Sequence, residues 1–558
     1  MKSNLKLSSS FIIIVAFMVL CFTFTAFANP QPPQPPPCSP PCGACQTCVN
    51  GQCQSTCEPN QVCVNGQCVW PSINYTYDAV GNRISMTVID PCGTTSYTYY
   101  TYDYLGRLIS VTNPDNKTIS YQYDASGNRT QLADPNNGGI TAYTYDDDNR
   151  LTGVTRGTAS TTYQYDSLGR QTRVDYPNGT YAQYTYNSQR NWLVSLANKN
   201  AAGTVLSSYS YTYDKAGNRL SVTENGGSAV SYTYDNIYQL TSETRTGTNA
   251  YSITYQYDGA GNRTQMVKSG TTTSYTYNNN NQLLTETTGG ITVTYSYDGN
   301  GNLLSKTGGG NTTTYSWNRR NHLLSVSEPS GNTAYEYDGD GTRISKTQSG
   351  VKTKYINDVA LRLVQVLMET NSTGIVQATY TYGKGLISMK RADANSYYHY
   401  DGLGSTRQLT NASSTVTASY TYDSFGNVVA SSGSITNAYG FTGEQQFNEA
   451  DNLVFLRARY YKPSIGRFIN RDPIGYEGGM NLYTYVRNNP VMFKDPLGMD
   501  CQSDAQNARD DCEFRGLLVC GLAALLDPPV GFWCALAYYQ VCRDAYNRAI
   551  ANCPPPCP

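Results

Sequence analysis

One pattern of apolar and polar positions recurs through most of this 558-residue chain, about every 22 residues. It reads Tyr-x-Tyr-Asp-x-x-Gly, then Asn or Arg, then a run in which apolar and polar residues alternate, as in residues 75–88. The alternation predicts a β-strand, because successive side chains of a strand point to opposite faces. Asp followed by Gly three residues later is typical of a turn. A repeat of this length indicates a solenoid or shell of hairpins, not a compact globule.

The two tyrosines of each copy fall on one face of a strand. Stacking between neighbouring copies would bury the ring faces and leave the hydroxyl groups in water. We favour such a structural ladder; rows of tyrosine that bind sugars are the alternative.

Composition narrows the classes of function. The chain has 50 tyrosines but only two histidines, His322 and His399, both of which we expect on exposed strand positions. Ser/His/Asp hydrolases and histidine-based metal sites therefore lack the residues they need. Lys and Arg number 40 against 41 Asp and Glu, so nothing neutralises a nucleic-acid backbone in bulk. We expect no cofactor, no metal and no nucleic-acid partner.

Residues 1–28 have the pattern of a secretory signal peptide. Lys2 and Lys6 precede an apolar run at 11–24, and small residues lead to a predicted cut after Ala28. The mature protein is expected to be secreted or held at the cell surface. Export places the cysteines in an oxidising compartment, where disulfides form.

A Pro-rich spacer and eight cysteines make up a predicted module at 29–70. Asn-Gly pairs between closely spaced cysteines indicate small hairpins joined by four disulfides. The spacing of Cys45 and Cys48 also fits zinc, but the even count and the export signal favour disulfides. The module is a small binding domain or a stalk.

The last segment, 500–558, changes period and predicts two helices, at 500–526 and 530–552. Its cysteines are spaced in mirror image, with gaps of 11 and 8 and then 8 and 11, as the rungs of an antiparallel helical hairpin require. The predicted disulfides are Cys501–Cys553, Cys512–Cys542 and Cys520–Cys534. Cys92 and Cys557 stay unassigned. An apolar stretch at 517–526 is either the core of the hairpin or a membrane or partner contact.

A second set of motifs fills residues 395–499. In order they are YDGLGSTR at 400–407, YDSFGN at 422–427, FTGE at 441–444, LRARYY at 456–461, GRFI at 466–469, RDPIG at 471–475, NLYTY at 481–485, NNPV at 488–491 and DPLGM at 495–499.

These motifs are very similar to the RHS repeat-associated core domain, and the tyrosine repeat resembles the YD repeat of RHS (rearrangement hot spot) proteins. The resemblance covers about 75–499 and implies a mostly β fold. We expect a spiral of YD-repeat β-hairpins that forms a hollow shell, with repeats at 71–394 and the core domain at 395–499. A disulfide-rich module would precede the shell, and a disulfide-stapled α-helical hairpin would follow it.

In that family the core domain resembles a built-in aspartyl protease that cuts the chain just after its terminal Asp-Pro-x-Gly-x phrase. The matching carboxylates are Asp472 and Asp495, and the cut would lie between Met499 and Asp500. Two carboxylates that lie close together cannot both ionise, so one can activate water while the other, protonated, polarises the scissile carbonyl. Arg471 is expected to hold one of them ionised. Without the resemblance, two such Asp-Pro turns would be taken as structural.

Two positions depart from the family pattern. Met499 stands where Leu or Trp is usual, and Lys462 stands where Asp is usual. Met is a similar apolar residue, so the first departure weakens the resemblance only slightly.

The implied function is that of an exported shell protein that encloses the tip at 500–558 and releases it by self-cleavage, for toxin delivery or competition between bacteria. Self-cleavage of this kind is not the activity of a multiple-turnover enzyme. The expected partners are the protein's own tip and a cell-surface glycan, a membrane or an immunity protein. The alternative is a non-toxic surface or adhesion protein whose tyrosine rows and disulfide modules contact ligands.

Overall fold

The structure, a computed structural model, describes residues 46–49, 52–55, 62–64, 67–69, 72–89, 95–136, 139–447 and 449–499. The signal peptide, the tip with its three predicted disulfides, and Asp500 lie outside the described residues. The chain divides into two compact units, one formed by residues 1–72 and 89–94 and the other by residues 73–88 and 95–558.

The smaller unit contains two short antiparallel hairpins. They are formed by β1 (Gln46–Val49) with β2 (Gln52–Ser55) and by β3 (Val62–Val64) with β4 (Gln67–Val69). The backbone register places Cys48 opposite Cys53 and Cys63 opposite Cys68. The antiparallel pairing of these strands agrees with the predicted small hairpins, and the disulfides stay a prediction.

In the described part of the larger unit, 34 strands follow one another in chain order in one antiparallel sheet. The first half comprises β5 (Ser72–Tyr77), β6 (Arg83–Ile89), β7 (Thr95–Tyr102), β8 (Leu108–Thr112), β9 (Thr118–Tyr123), β10 (Arg129–Ala133), β11 (Ile140–Tyr145), β12 (Leu151–Arg156), β13 (Ala159–Tyr165), β14 (Gln171–Asp175), β15 (Tyr181–Tyr186), β16 (Leu193–Lys199), β17 (Val205–Tyr213), β18 (Arg219–Glu224), β19 (Ala229–Tyr234), β20 (Leu240–Thr246) and β21 (Tyr251–Tyr257).

The second half comprises β22 (Arg263–Lys268), β23 (Thr271–Tyr277), β24 (Leu283–Thr288), β25 (Ile291–Tyr297), β26 (Leu303–Gly308), β27 (Asn311–Trp317), β28 (Leu323–Glu328), β29 (Gly331–Tyr337), β30 (Arg343–Gln348), β31 (Val351–Asp358), β32 (Gln365–Asn371), β33 (Val376–Tyr382), β34 (Leu386–Arg391), β35 (Ala394–Tyr400), β36 (Thr406–Thr410), β37 (Val416–Tyr422) and β38 (Val428–Gly433). The predicted repeat of hairpins is confirmed.

The Asp of the repeated phrase closes each turn. In one copy, Asp124 Oδ1 accepts the Asn128 N–H at 2.8 Å, and Oδ2 accepts the Asn128 amide at 2.9 Å. Gly127 between them has a φ of 86°, a conformation that costs glycine little. Asn149, with a φ of 59°, takes this place in a degenerate copy. The order Asp, Gly, Asn is therefore one hydrogen-bonded unit.

The two tyrosines of each phrase have different roles. The first packs in the buried face of the sheet, as Tyr163 does. The second donates its hydroxyl to a carbonyl of the preceding repeat: Tyr165 to Leu151 at 2.6 Å, with the indole of Trp317 making the same bond to Leu303 at 2.7 Å. For these residues the prediction that the hydroxyls stay in water is wrong, because the bond joins two repeats; Tyr77, in the first copy, is 58% exposed.

The sheet coils so that late strands pack on early ones. The Arg83 guanidinium binds the Asp340 carboxylate at 2.7 Å across 257 residues of sequence. Further along, the Ser424 N–H donates to Glu243 Oε2 at 2.9 Å across 181 residues. Strands that lie far apart in the sequence are therefore brought together within the larger unit.

After β38 the chain leaves the sheet as a C-terminal segment, residues 434–499. Its elements are β39 (Val454–Leu456), β40 (Arg459–Lys462), β41 (Arg467–Phe468) and the 3₁₀ turns Phe441–Gly443, Ala450–Asn452, Gly475–Gly478 and Val486–Asn488. The sheet itself continues unbroken through residue 395, the predicted start of the core domain.

The C-terminal segment lies across the turns of successive repeats. The Asn488 amide donates to the Gly261 carbonyl at 2.7 Å, and the Tyr483 hydroxyl donates to the Gly301 carbonyl at 2.9 Å. Glu449 binds Arg343 through two carboxylate oxygens at 3.0 Å each. The repeats therefore determine where the C-terminal segment sits. Among the described residues, no helix is long and apolar enough to cross a membrane.

Candidate active site

Asp472 and Asp495 each begin a tight turn in the C-terminal segment. Asp472 follows β41; its N–H donates to the Leu482 carbonyl at 2.9 Å, and its Oδ1 accepts the Ile474 N–H at 3.0 Å. Asp495 Oδ1 accepts the Met499 N–H at 3.1 Å. Each carboxylate is thus fixed by the backbone of its own turn, with Oδ2 pointing elsewhere.

One guanidinium joins the two carboxylates. Arg459 Nη2 lies 2.7 Å from Asp472 Oδ2 and 3.3 Å from Asp495 Oδ2. All three side chains are buried. The structure therefore brings together the two aspartates that the sequence singled out and adds a cation that the sequence did not.

Arg459 is itself fixed on every side. Its Nε donates to the Gly498 carbonyl, its Nη1 donates to the Leu482 carbonyl at 3.2 Å, and the guanidinium lies 3.5 Å from the centroid of the Phe468 ring. A planar fork of donors can hold two carboxylates and two carbonyls at once, which lysine cannot do. Arg459 stands in the LRARYY motif, which is the signal that could have identified it.

The predicted cleavage point lies beside the pair. A Cβ added to Gly478 would lie 2.7 Å from Asp472 Oδ2 and 3.2 Å from the Met499 carbonyl oxygen. Asp472 and the predicted scissile carbonyl therefore flank the same backbone position, and the absent side chain of Gly478 leaves the space between them open. Gly478 is a second residue that sequence reasoning missed.

Arg471 does not have the predicted role. Its side chain is exposed and lies against Gly301, and within the described residues it makes no ion pair. Adjacent residues of an extended chain point in opposite directions, so an Arg beside a buried Asp faces away from it. Arg459 makes the contact that was assigned to Arg471.

Lys462, the second departure from the family pattern, pairs with an aspartate close to it in sequence. Its Nζ lies 2.9 Å from Asp451 Oδ2 and 2.8 Å from the Asp451 carbonyl. Burial lowers the pKa of Lys462. This pair lies apart from the two aspartates, so the departure at 462 leaves their contacts with Arg459 in place.

The two histidines take no part in this site. His399 is fully buried; burial lowers its pKa to about 3, and its Nε2 lies 2.8 Å from Thr410 Oγ1. The prediction that His399 is exposed is wrong, because the coiled sheet places Tyr176 against its ring. His322 stacks on Tyr337. No group of three or more His, Cys, Asp or Glu in the described part of the chain is placed to hold a metal ion.

Asp472 and Met499 also line a cavity of about 1330 Å³. Its walls come from residues 184–193, from the ends of repeats between 299 and 404, and from the C-terminal segment. The described chain therefore ends at the wall of this half-open cavity.

A model of the teneurin YD-shell matches residues 222–491, and a model of the RHS repeat matches residues 102–138 and 145–181. The chain belongs to the RHS/YD-repeat family. The RHS/YD-repeat sheet is also similar to a crystal structure of TcdB2-TccC3-TEV, with a TM-score of 0.59 and 18% identity over 76% of this chain and 26% of that one. This likeness shows the shell fold.

Two curated relatives of this RHS/YD-repeat chain are toxins or nucleases by name. The tRNA3(Ser)-specific nuclease WapA of Bacillus spizizenii is 35% identical over 144 residues, which is 24% of this chain and 6% of that protein. The double-stranded DNA deaminase toxin A of Burkholderia cenocepacia is 36% identical over 117 residues, 20% of this chain and 8% of that protein. The matched region is thus a small part of each relative.

Proposed function

We propose that this protein is an exported RHS-repeat shell that holds the tip at 500–558 and cuts its own chain between Met499 and Asp500. The observation that carries the proposal is the buried pair of Asp472 and Asp495 on Arg459. The Met499 N–H binds Asp495, and the Met499 carbonyl oxygen and Asp472 Oδ2 both lie close to Gly478.

The proposed peptide hydrolysis follows from the charges of Asp472, Asp495 and Arg459. Two ionised carboxylates and one guanidinium leave one buried negative charge, and a shared proton removes it. The ionised carboxylate takes a proton from water as the water oxygen attacks the Met499 carbonyl carbon, and the protonated one donates to the carbonyl oxygen. When the bond between carbon and nitrogen breaks, the carboxyl group that took the water proton passes it to the Asp500 nitrogen, which leaves as an amine. A hydroxyl of the tetrahedral intermediate returns its proton to the other carboxylate as the new carboxyl group forms. Arg459 holds both carboxylates and the Gly498 carbonyl during these steps.

Release of a short tip suits toxin delivery or competition between bacteria. The names of the two relatives support this proposal, because both describe activities directed at nucleic acids. The N-terminal signal would place the mature protein outside the cytoplasm, beginning at residue 29; N-terminal sequencing of the secreted protein checks the cut after Ala28.

Intact mass of the denatured, purified protein tests self-cleavage directly. We expect a fragment that begins at Asp500, and we expect Asp472→Asn and Asp495→Asn to give one full-length species. Asp258→Asn, which alters a repeat turn outside the site, is the matched control and should still cleave. Continued release of the fragment by both site variants would show that the pair is not the protease.

One observation favours the alternative of a surface protein that binds a ligand. On β7, Tyr97 and Tyr99 are 48% and 53% exposed, and their rings stack at 6.3 Å with planes 7° apart. Exposed ring faces beside hydroxyl pairs such as Thr101 with Ser110 suit the apolar face of a sugar. If this function holds, the unaltered protein should bind glycans on an array, and Tyr97→Ala and Tyr99→Ala should lose that binding. Unchanged binding by these variants would contradict a role for the two tyrosines.

A further inference from the structure

A buried carboxylate outside the candidate active site is contacted by two lysine amines. Lys306 Nζ, from β26, contacts Asp451 Oδ1 in the C-terminal segment, across 145 residues of sequence. Lys462 Nζ lies 2.9 Å from Asp451 Oδ2. The side chain of Asp451 is 5% exposed and that of Lys306 is 21% exposed. The sheet and the C-terminal segment therefore meet at an amine and a carboxylate held in contact.

The amine distinguishes this contact from the buried ion pairs that arginine makes. In the pair of Arg129 with Asp358 the cation is a guanidinium, which keeps its proton in proteins and is not a nucleophile. A lysine that loses its proton becomes a nucleophile. Lys346 also contacts a buried carboxylate, that of Glu449, at 3.4 Å, but each Glu449 oxygen accepts from Arg343 at 3.0 Å. That guanidinium holds Glu449 in its ionised form.

The two oxygens of the Asp451 carboxylate have different partners. Tyr315 donates its hydroxyl to Oδ2 at 2.5 Å, beside the Lys462 amine, whereas Oδ1 faces Lys306. Donors on one oxygen stabilise the negative charge that collects there when an amine adds to the carboxyl carbon. Oδ1 is then the oxygen that can leave, and Lys306 is the amine that can replace it.

The surroundings of Asp451 favour a neutral product. Glu328 Oε2 accepts the Asp451 N–H at 3.0 Å, so the cluster holds two lysines and two carboxylates. Ala450 and Leu453, which flank this position in the chain, belong to a buried apolar cluster. Charges are costly to take out of water, and an amide between one lysine and one aspartate removes two of the four. Contact between the reacting groups also removes the entropic cost of bringing them together.

We propose that Lys306 and Asp451 condense to an isopeptide bond, which joins the sheet covalently to the C-terminal segment. The Lys306 ammonium first passes a proton to Oδ1, which gives a neutral amine and a neutral carboxyl group. Nζ then attacks the Asp451 carboxyl carbon, and the negative charge of the intermediate collects on Oδ2. A second proton passes from the nitrogen to the Oδ1 hydroxyl, the bond between carbon and Oδ1 breaks, and one water molecule leaves.

The cross-link does not depend on cleavage after Met499, because both of its residues precede that bond. Mass spectrometry of the full mature protein, denatured, reduced and alkylated, tests it without any variant. We expect the chain or fragment that carries both residues to weigh one water molecule less than its sequence. A mass that equals the sequence mass would overturn the proposal, whether or not a fragment begins at Asp500.

Trypsin identifies the two residues that are joined. A linked Lys306 is no longer a cutting site, so we expect one branched peptide in which 269–319 is joined to 408–457. A free peptide 269–306 in place of the branched one would contradict the cross-link. A branch between 408–457 and 460–467 would overturn the assignment, because it places the bond on Lys462.

Lys306→Arg keeps the positive charge but removes the nucleophilic amine. This variant should regain the missing water and lose the branched peptide. The matched control is Lys346→Arg, at another lysine that contacts a buried carboxylate, and it should keep the branched peptide. Branched peptide in both variants, or in neither, would contradict the role of Lys306.

Tyr315→Phe tests the role of Oδ2 in the condensation. Loss of one donor to a developing oxyanion slows a reaction roughly a hundredfold. The fraction of branched peptide in freshly synthesised protein should therefore fall and then rise on incubation. Branching as fast as in the unaltered protein would contradict the assignment of Oδ2 as the oxygen that carries the charge.

Discussion

Replacing Arg459 by methionine removes the cation between the two aspartates while keeping an unbranched side chain in the same space. The guanidinium lies 2.7 Å from Asp472 and 3.3 Å from Asp495, and its side chain is only 2% exposed. Removing one partner of a buried ion pair costs about 3–5 kcal/mol, because a charge is left without compensation. We expect the free energy of unfolding to fall by that amount and self-cleavage to stop, since the Gly498 carbonyl also loses its donor.

A second substitution separates the charge from the packing. Adding Asp472→Asn to Arg459→Met removes one of the two uncompensated carboxylates, so the double variant should recover about 1–3 kcal/mol relative to the sum of the single changes. Urea denaturation followed by tyrosine fluorescence measures stability, and denatured intact mass measures cleavage. The double variant should remain uncut, because it still lacks a catalytic carboxylate. A cost below about 1 kcal/mol for Arg459→Met, or simple additivity of the two changes, would refute the reasoning.

Four further predictions concern other parts of the molecule. Burial, and after it the charge of Asp423, raises the pKa of Glu243 to about 7. The native state therefore keeps a proton on Glu243 that the unfolded chain loses near pH 4.3. The free energy of unfolding should fall by roughly 2–3 kcal/mol between pH 5 and pH 8 as the native state loses that proton. Urea melts of Glu243→Gln at the two pH values should lack that fall, and an equal fall in both proteins would contradict it. Tyr165→Phe removes one hydroxyl bond between repeats and should cost about 1 kcal/mol in a urea melt, so no loss would mean that the bond is not made. Gly478→Ala should slow self-cleavage at least about tenfold, followed by intact mass over time, because its Cβ meets Asp472; normal cleavage would place the carbonyl elsewhere. Peptide mapping without reduction should find the three mirrored disulfides, Cys501–Cys553, Cys512–Cys542 and Cys520–Cys534. Any other pairing would rule out the helical hairpin.

The local structure of the repeat could be predicted because its determinants are local. Asp124, Gly127 and Asn128 lie within five residues, and the turn they form follows from their own chemistry. The alternation of apolar and polar residues likewise gives each strand its buried face. The pairing of Asp472 with Asp495 came from the motifs of the core domain, not from spacing alone.

The contacts between distant parts of the chain could not be predicted in the same way. Arg459 reaches Asp472 and Asp495 across 13 and 36 residues through the path of the C-terminal segment, and nothing in its neighbours indicates which arginine points inward. His399 is buried by Tyr176, a residue of an earlier strand that the coiling of the sheet brings next to it. The acceptor of a second tyrosine such as Tyr165 is a backbone carbonyl, which a sequence pattern cannot specify.

The contact of Arg83 with Asp340 implies an order in which the parts of the structure form. This contact cannot form until 257 further residues are available. The C-terminal segment cannot take its place until the turns at Gly261 and Gly301, which it contacts, have formed. Arg459 is held in place by that segment. Any chemistry at Asp472 and Asp495 therefore comes late, after the sheet is complete. A chain with part of its repeats missing would still form the two aspartate turns but would lack the geometry that pairs them.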